Sequence, residues 1–499
     1  MPERILPVLV GAGQTVDRPA DPTAGREPLV LMEEAARRAA EDAGGGPRLL
    51  AALDTVAVVN VISHDYGDAA GLLAERLGSR PARSINTTLG GNTPQSLVNH
   101  LCDEIAAGRV ELALVAGAEA WQTVRKLATL GRPAAWAHRP ASGPPWGDGR
   151  PGVSAHEARH GIGQPIVTYP MAENAFRAAR GLSLDAHRRE LAEFSARAAA
   201  IAAGNPYAWF RDAKDAATLS TLTAENRMVG FPYPKFMNAI LDVNQGAALV
   251  LASEAAARRL GIAPARWIYP WAGVDVSEHW FFQDRTDYHT LPGVRRAGAL
   301  LLEGVGLGIE RVTHLDLYGC FPIAPRLSAA MLGVAPDDPR PLTVTGALPW
   351  FGGPGSNYAT HAIATLAARL RAEPESFALA HALGWNLTKH ALAIYAGTPP
   401  PGWQHVGGAA LQRWVDALPH PPVVEEASGR GTIEAYTIVH GRDGSPERGA
   451  VIGRLGDGRR FLAVVRAERA VLEAMEREEQ IGRAGRVSPV GGVNRYDPA

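Results

Sequence analysis

The segment Asn86-Thr87-Thr88-Leu89-Gly90-Gly91 stands directly before a helical pattern, a place where the backbone itself can assist chemistry. Asn86, Thr87 and Thr88 are turn and cap types, and Gly90 and Gly91 permit a tight bend. Unpaired N–H groups and the positive dipole end at such a helix start lower a thiol pKa and hold an oxyanion. An acyl-transfer enzyme would place its nucleophile there. Two later stretches also carry reactive side chains: Asp316-Leu317-Tyr318-Gly319-Cys320-Phe321-Pro322, and the residues His381, Asn386, Lys389 and His390. A fourth group, His156-Glu157-Ala158-Arg159-His160, satisfies the H-E-x-x-H spacing of zinc proteases. Those enzymes hold the motif on a helix with a third ligand. Gly152 and Gly161 leave barely two turns here, so the match is read as coincidence and no metal is expected.

Alternating strands and helices must position these residues. Ile5–Val10 reads as a buried strand ending at Gly11-Ala12-Gly13, Leu29–Ala43 as an amphipathic helix, Asp54–Ser63 as a strand and Ala69–Leu77 as a helix. After the turn, Pro94 suits a first helical turn, and Leu97, Val98, Leu101, Cys102 and Ile105 repeat at helical spacing. Gly108 stops that helix, and Val110–Val115, bounded by Gly117, is apolar enough for a strand covered on both faces. Gly131–Gly152 has the Gly, Pro and Trp content of a loop, and Leu184–Ala203 is a long helix. Phe231–Ser253 returns to the core. Helix Leu291–Leu302, strand His314–Tyr318, helices Pro325–Leu332 and Thr360–Arg371, and strands Phe377–Asn386 and Leu392–Tyr395 follow. Pro399-Pro400-Pro401 is a stiff boundary, beyond which Thr432–His440, Gly449–Leu455 and Arg460–Val465 read as short antiparallel strands of a small barrel.

On the turn, helix and strand of residues 83–121, the chain resembles the thiolases, and the sterol-carrier-type branch most closely. Tyr233-Pro234-Lys235 resembles the thiolase-like proteins of type 1, a subgroup with an additional C-terminal barrel. The resemblance implies an α/β thiolase fold, two similar layered αβαβα halves with mixed five-stranded sheets, plus a small C-terminal antiparallel β-barrel of oligonucleotide-binding type. It places the N-terminal half at 1–125 and 226–265, an inserted loop domain at 126–225, the C-terminal half at 266–398 and the barrel at 402–499. The insertion would either cover a CoA tail or merely shield the sheet.

The same resemblance locates four catalytic loops. The nucleophilic cysteine position falls on Leu89, which cannot attack a thioester; a one-residue slip brings Thr88, whose plainer role is to cap the helix. In the second loop Cys320 and Phe321 are retained, but Tyr318 replaces the histidine. In the third, Gly352-Gly353-Pro354 matches Gly-His-Pro, leaving Gly353 at the base. The fourth lacks its cysteine and offers His381, Asn386, Lys389 and His390. Thr88, Gly90, Cys320, Phe321, Gly352 and Gly353 would then line a substrate site, with Tyr318, Asn386 and His390 as remaining catalytic candidates.

Composition narrows the rest. Fifty basic and 51 acidic residues leave a net charge of −1, giving no broad electrostatic case for nucleic acid or a membrane surface. Two cysteines argue against a disulfide scaffold and fit a reducing cytoplasm. No segment reads as a membrane span. The expected function is an acyltransferase-like protein of lipid metabolism that binds acyl-CoA or a related thioester, as substrate or ligand and with no further cofactor, without classical thiolase activity. The alternative is a non-catalytic thiolase-fold protein whose partner docks on the barrel. Homodimers are usual for the family.

Overall fold

The computed structural model describes residues 4–498; residues 1–3 and 499, at the outer ends of the first and last expected ranges, lie outside them. Strands β1 (Pro7–Val16), β2 (Thr55–Val58), β3 (Arg83–Asn86), β4 (Leu112–Ala120) and β7 (Asn244–Ser253) form one sheet, in the order β1-β7-β4-β2-β3. Strands β8 (Tyr269–Ser277), β9 (Val312–Leu317), β10 (Phe377–Gly384), β11 (Lys389–Ala396) and β12 (Gln404–His405) form a second, in the order β12-β8-β11-β10-β9. Both sheets are mixed and repeat one scheme. In each, two antiparallel pairs (β1–β7 and β7–β4; β8–β11 and β11–β10) adjoin a parallel pair (β4–β2; β10–β9). These are the two mixed five-stranded sheets of the expected thiolase fold.

The layering follows from which helix faces are apolar. Helices α1 (Pro28–Asp42) and α2 (Ala69–Leu77) bury Leu31, Met32, Ala35, Ala39 and Leu73 against the outer face of the first sheet. Helices α3 (Thr93–Ala106) and α8 (Tyr358–Ala372) lie between the sheets, where Leu97, Leu101, Ile363 and Leu370 meet Val115 and Leu251 of one sheet and Ala378 and Tyr395 of the other. Helices α6 (Pro292–Val305) and α7 (Ile323–Met331) cover the outer face of the second sheet. Strand β1 runs on through Gly11-Ala12-Gly13, where the sequence predicts a strand end. The glycines are there for close approach: a Cβ at Gly11 would strike the Ala39 carbonyl of α1, and one at Gly13 the Ala35 carbonyl.

Residues 126–225 contain helices α4 (Pro165–Ala179) and α5 (Leu184–Gly204), and 132–150 carry no helix. Past the prolines the chain first adds β12 and helix α9 (Gly408–Asp416) to the C-terminal half, then enters the barrel. Strands β13 (Gly429–His440), β14 (Pro446–Leu455), β15 (Arg460–Val465), β16 (Ala484–Val490) and β17 (Val493–Pro498) close as β13-β14-β15-β17-β16, with helix α10 (Arg469–Arg477) between β15 and β16. The β15–β17 pair is parallel, which corrects the all-antiparallel expectation. Two short strands, β5 (Met228–Gly230) and β6 (Tyr233–Pro234), extend the barrel sheet through β13. The barrel is therefore fastened to the body, not tethered to it. Asn174 of α4 donates to the Tyr436 carbonyl, and buried Arg460 pairs with Glu434 and donates to the Gln283 carbonyl.

The H-E-x-x-H residues belong to that same junction. Ser154 and Glu157 form a reciprocal capping box at the start of the short helix Ala155–Arg159, and the Glu157 carboxylate also accepts from the Gln283 N–H at 2.8 Å. His160 Nε2 accepts from the Asn494 N–H at 3.0 Å, and His156 Nδ1 lies 3.0 Å from Gln283 Oε1. Among the described residues, no group of three or more His, Cys, Asp or Glu is placed to hold a metal ion.

Candidate functional site

Helix α3 begins at the junction of the two halves, and loops from both converge on its first turn. Thr88 does not cap the helix, contrary to its simplest reading. Its hydroxyl is buried without a partner, while Thr93 donates to the Gly90 carbonyl at 2.6 Å. Leu89 occupies the turn at partial exposure. The Gly90 N–H is taken by Ser356 Oγ at 3.1 Å, whereas the N–H groups of Gly91 and Asn92 have no acceptor among the described residues.

Tyr318 ends in the same place. A Cβ on Gly91 would strike its hydroxyl, which makes no hydrogen bond among the described residues, and its ring packs edge-on against Tyr358 at 5.1 Å. Burial raises the phenol pKa above its ordinary value. Cys320 and Phe321 are buried as well. Phe321 stacks on Tyr169 of α4 at 4.6 Å, and burial pushes the Cys320 thiol up to about 12, so it is inert as a thiolate donor. Gly352 and Gly353 are buried away from open space: a side chain on Gly352 would meet Gln245, and the Gly353 N–H donates to the Ile240 carbonyl at 2.7 Å. The third loop instead reaches the turn through Ser356.

The fourth loop is the hairpin Trp385–Thr388 between β10 and β11. Trp385 and Leu387 both adopt positive φ, 56° and 58°. Asn386 is claimed by the insertion, accepting from Thr168 Oγ1 at 2.8 Å and donating to the Gly163 carbonyl at 3.3 Å. Arg285, itself buried, clamps the hairpin by donating to the Leu387 and Asn386 carbonyls and to Thr388 Oγ1. His390 is bonded on both ring nitrogens, with Nδ1 3.0 Å from His381 Nε2 and Nε2 3.1 Å from the Leu387 carbonyl. Burial, then the neighbouring His381 and Arg285, hold its pKa well below the ordinary value.

Lys389 comes closest to the turn. Its Nζ donates to the Leu89 carbonyl at 2.7 Å, and a Cβ on Gly90 would fall within 2.6 Å of it. Burial lowers its pKa to about 8, opposed by Asp148 and reinforced by Arg150. Of the residues the sequence singles out, the fold thus gathers Tyr318, Gly90, Leu89 and Lys389 and adds Ser356; it hands Asn386 to the insertion and seals Gly353.

Two cavities flank the turn, both walled by the 139–150 segment, which bonds alongside it through Trp146 N–H to the Asn86 carbonyl and Thr88 N–H to the Trp146 carbonyl. One, of about 450 Å3, is lined by Val61, Leu89 and Pro145 together with polar Asn60, His64 and Asp65. The other, of about 350 Å3, is lined by Asn92, Ser96, Trp146, Asp148, Asp275 and Lys389. At the latter's rim His405 bridges the halves, with Nδ1 2.6 Å from Asp103 and Nε2 3.2 Å from Asp275. Burial works against its charge, but those two carboxylates push its pKa up to about 10. A larger cavity, of about 830 Å3, lies apart between α5 and the 334–343 segment.

Comparison with known proteins accords with this architecture. The family model described as the thiolase-like protein type 1 additional C-terminal domain matches residues 410–491. The chain is 34% identical to a monomeric SCP2-thiolase like protein type 1 (STLP1) from Mycobacterium smegmatis, with a TM-score of 0.86 and 99% of each chain covered. It is similar in fold to the Ltp2-ChsH2(DUF35) aldolase, at 18% identity and a TM-score of 0.59, covering 79% of this chain and 98% of that one. It is likewise similar to an acetyl-CoA acetyltransferase from Syntrophomonas wolfei, at 15% identity and a TM-score of 0.56, covering 79% and 100%. No curated protein matches the chain in sequence.

Proposed function

The chain belongs to the SCP2-thiolase-like protein type 1 family, and on that premise we propose that it binds an acyl thioester, acyl-CoA or a related one, at the Thr88–Asn92 turn without the thiolate chemistry of a thiolase. The observation that carries this reading is the turn itself. Leu89 stands where the nucleophile would be and lines an open cavity of about 450 Å3, while the N–H groups of Gly91 and of Asn92, which lines the neighbouring cavity, have no acceptor among the described residues and can donate to a thioester carbonyl. Val61, Leu89 and Pro145 offer an acyl chain apolar contacts among polar Asn60, His64 and Asp65. Neither thiol can stand in for the missing one, because Cys102 and Cys320 are both buried. Tyr318, whose hydroxyl lies against Gly91, is a further donor beside the turn; His390, bonded at both nitrogens, orients the hairpin, and Asn386 ties it to the insertion.

A thermal-shift and calorimetric series with free CoA and with short, long and steroid-like acyl-CoAs tests the proposal. Binding stabilises the folded state increasingly with ligand excess. A shift with esters and none with CoA supports it; no shift with any ester sinks it. A second reading, a partner protein docked through the oligonucleotide-binding-type barrel, rests on Val471 and Val490, which the barrel leaves 38% and 47% exposed. Leu89→Cys gives a further check. The helix start and an adjoining cavity should let that thiol react with iodoacetamide well before Cys102 or Cys320.

A further inference from the structure

Lys389 is an unusual choice of cation for this chain. Of the 50 basic residues only four are lysines, Lys126, Lys214, Lys235 and Lys389; the rest are arginines. An arginine could supply charge and hydrogen bonds at the turn, but a guanidinium keeps its proton, whereas an amine can lose one and attack. The amine is held by one bond, to the Leu89 carbonyl at 2.7 Å, and faces a cavity of about 350 Å3 that its own side chain helps to line. The strained hairpin before it, pinned by Arg285, fixes where β11 starts and hence where Lys389 points.

We propose that Lys389 is a nucleophile that captures an aldehyde or ketone as an imine beside the first turn of α3. The nitrogen lone pair forms a bond to the carbonyl carbon as the C=O π pair moves to oxygen. Oxygen gains a proton, nitrogen loses one, and the carbinolamine then expels its hydroxyl as water to leave C=N. No oxidant or reductant takes part, and the open cavity lets solvent supply and remove the protons. The Asn92 N–H, which has no acceptor among the described residues and belongs to a residue lining the same cavity, polarises the carbonyl.

Burial, which lowers the amine pKa to about 8, keeps a usable neutral fraction near neutrality. The charges around it are Asp148 and Arg150 from the 139–150 segment, Asp275 from β8, Asp103 from α3, and His405, whose charge is matched by Asp103 and Asp275; His100 of α3 and His390 of β11 also face the cavity, and burial holds the pKa of each below its ordinary value. This activity does not depend on thioester binding.

The test is reductive trapping of the full chain with propanal and sodium cyanoborohydride between pH 6 and 9, read by peptide mass mapping. Lys389 should be propylated at least about tenfold faster than exposed Lys126, with a rate that bends near pH 8. Lys389→Arg keeps the bond to Leu89 and should fold normally, with that adduct lost and the other three lysines labelled as before. Labelling of Lys389 no faster than Lys126, or a rate without a bend below pH 9, overturns the proposal and leaves Lys389 as a structural cap on the turn.

Discussion

The same junction is built in two ways in the two halves. In the C-terminal half the antiparallel neighbours β10 and β11 are joined by the four residues Trp385–Thr388; in the N-terminal half their counterparts β4 and β7 are joined by residues 121–243. The long connection then folds back on the short one. Tyr169 donates to the Trp385 carbonyl, Thr168 to Asn386, and Gly152 lies so close to the Trp385 ring that no side chain would fit. The strain is distributed just as unevenly. Among the described residues, the three non-glycine residues with positive φ, Ala347, Trp385 and Leu387, all sit in C-terminal loops around the turn. A site shared between similar halves has been specialised by enlarging one junction and tightening the other.

The strongest way to break this pairing is to release the insertion. Buried Glu173 of α4 accepts from Arg326 of α7 at 2.7 Å and from Tyr233 at 2.6 Å. Glu173→Ala leaves the buried Arg326 guanidinium with Glu190 as its remaining carboxylate and takes the acceptor from Tyr233, and should cost about 3 kcal/mol, seen as the largest fall in thermal midpoint. Burial opposes its charge, yet Arg326 and His187 hold its pKa down to about 2. A depressed carboxylate stabilises above its unfolded pKa, near 4.3, so this contribution should fade as pH falls from there through about 2.

Releasing the hairpin comes next. Arg285→Ala removes three bonds to the hairpin, leaving the Leu387 carbonyl only its contact with His390, and should cost about 2–3 kcal/mol with faster amide exchange across 385–389. Asn386→Ala removes two of the bonds between hairpin and insertion, leaving that of Tyr169 to the Trp385 carbonyl, and should cost about 1–2 kcal/mol in denaturant unfolding. Smallest, and opposite in sign, Ala347→Gly relieves a φ of 62° with ψ of 161° and should stabilise by about 1 kcal/mol. No gain there would mean that the strain is confined to the hairpin.

Much of the architecture was legible because it is encoded locally. Helix Ala69–Leu77 coincides with its sequence reading, and α1 and α5 differ from theirs by a residue, since their caps and apolar faces lie within one stretch. The glycines of β1 misled because their reason is a helix packed across them. The H-E-x-x-H match concealed a plainer local signal, Ser154 three residues before Glu157, which is the capping box the structure contains. The meeting of Lys389 with Leu89 could not be read at all: the two are 300 residues apart, and only the apposition of both sheets across α3 brings them together. His405 with Asp103 is hidden for the same reason, 302 residues apart.

The strand pair β5–β6 has a temporal consequence. Its partner β13 leaves the ribosome roughly 200 residues later, a delay of about 10–40 s at ordinary rates of synthesis. During that interval the nascent insertion exposes an unpaired edge and the surface that Tyr436 later covers, a period in which holdase chaperones would find their target. Pairing of β13 with β5 then closes that edge.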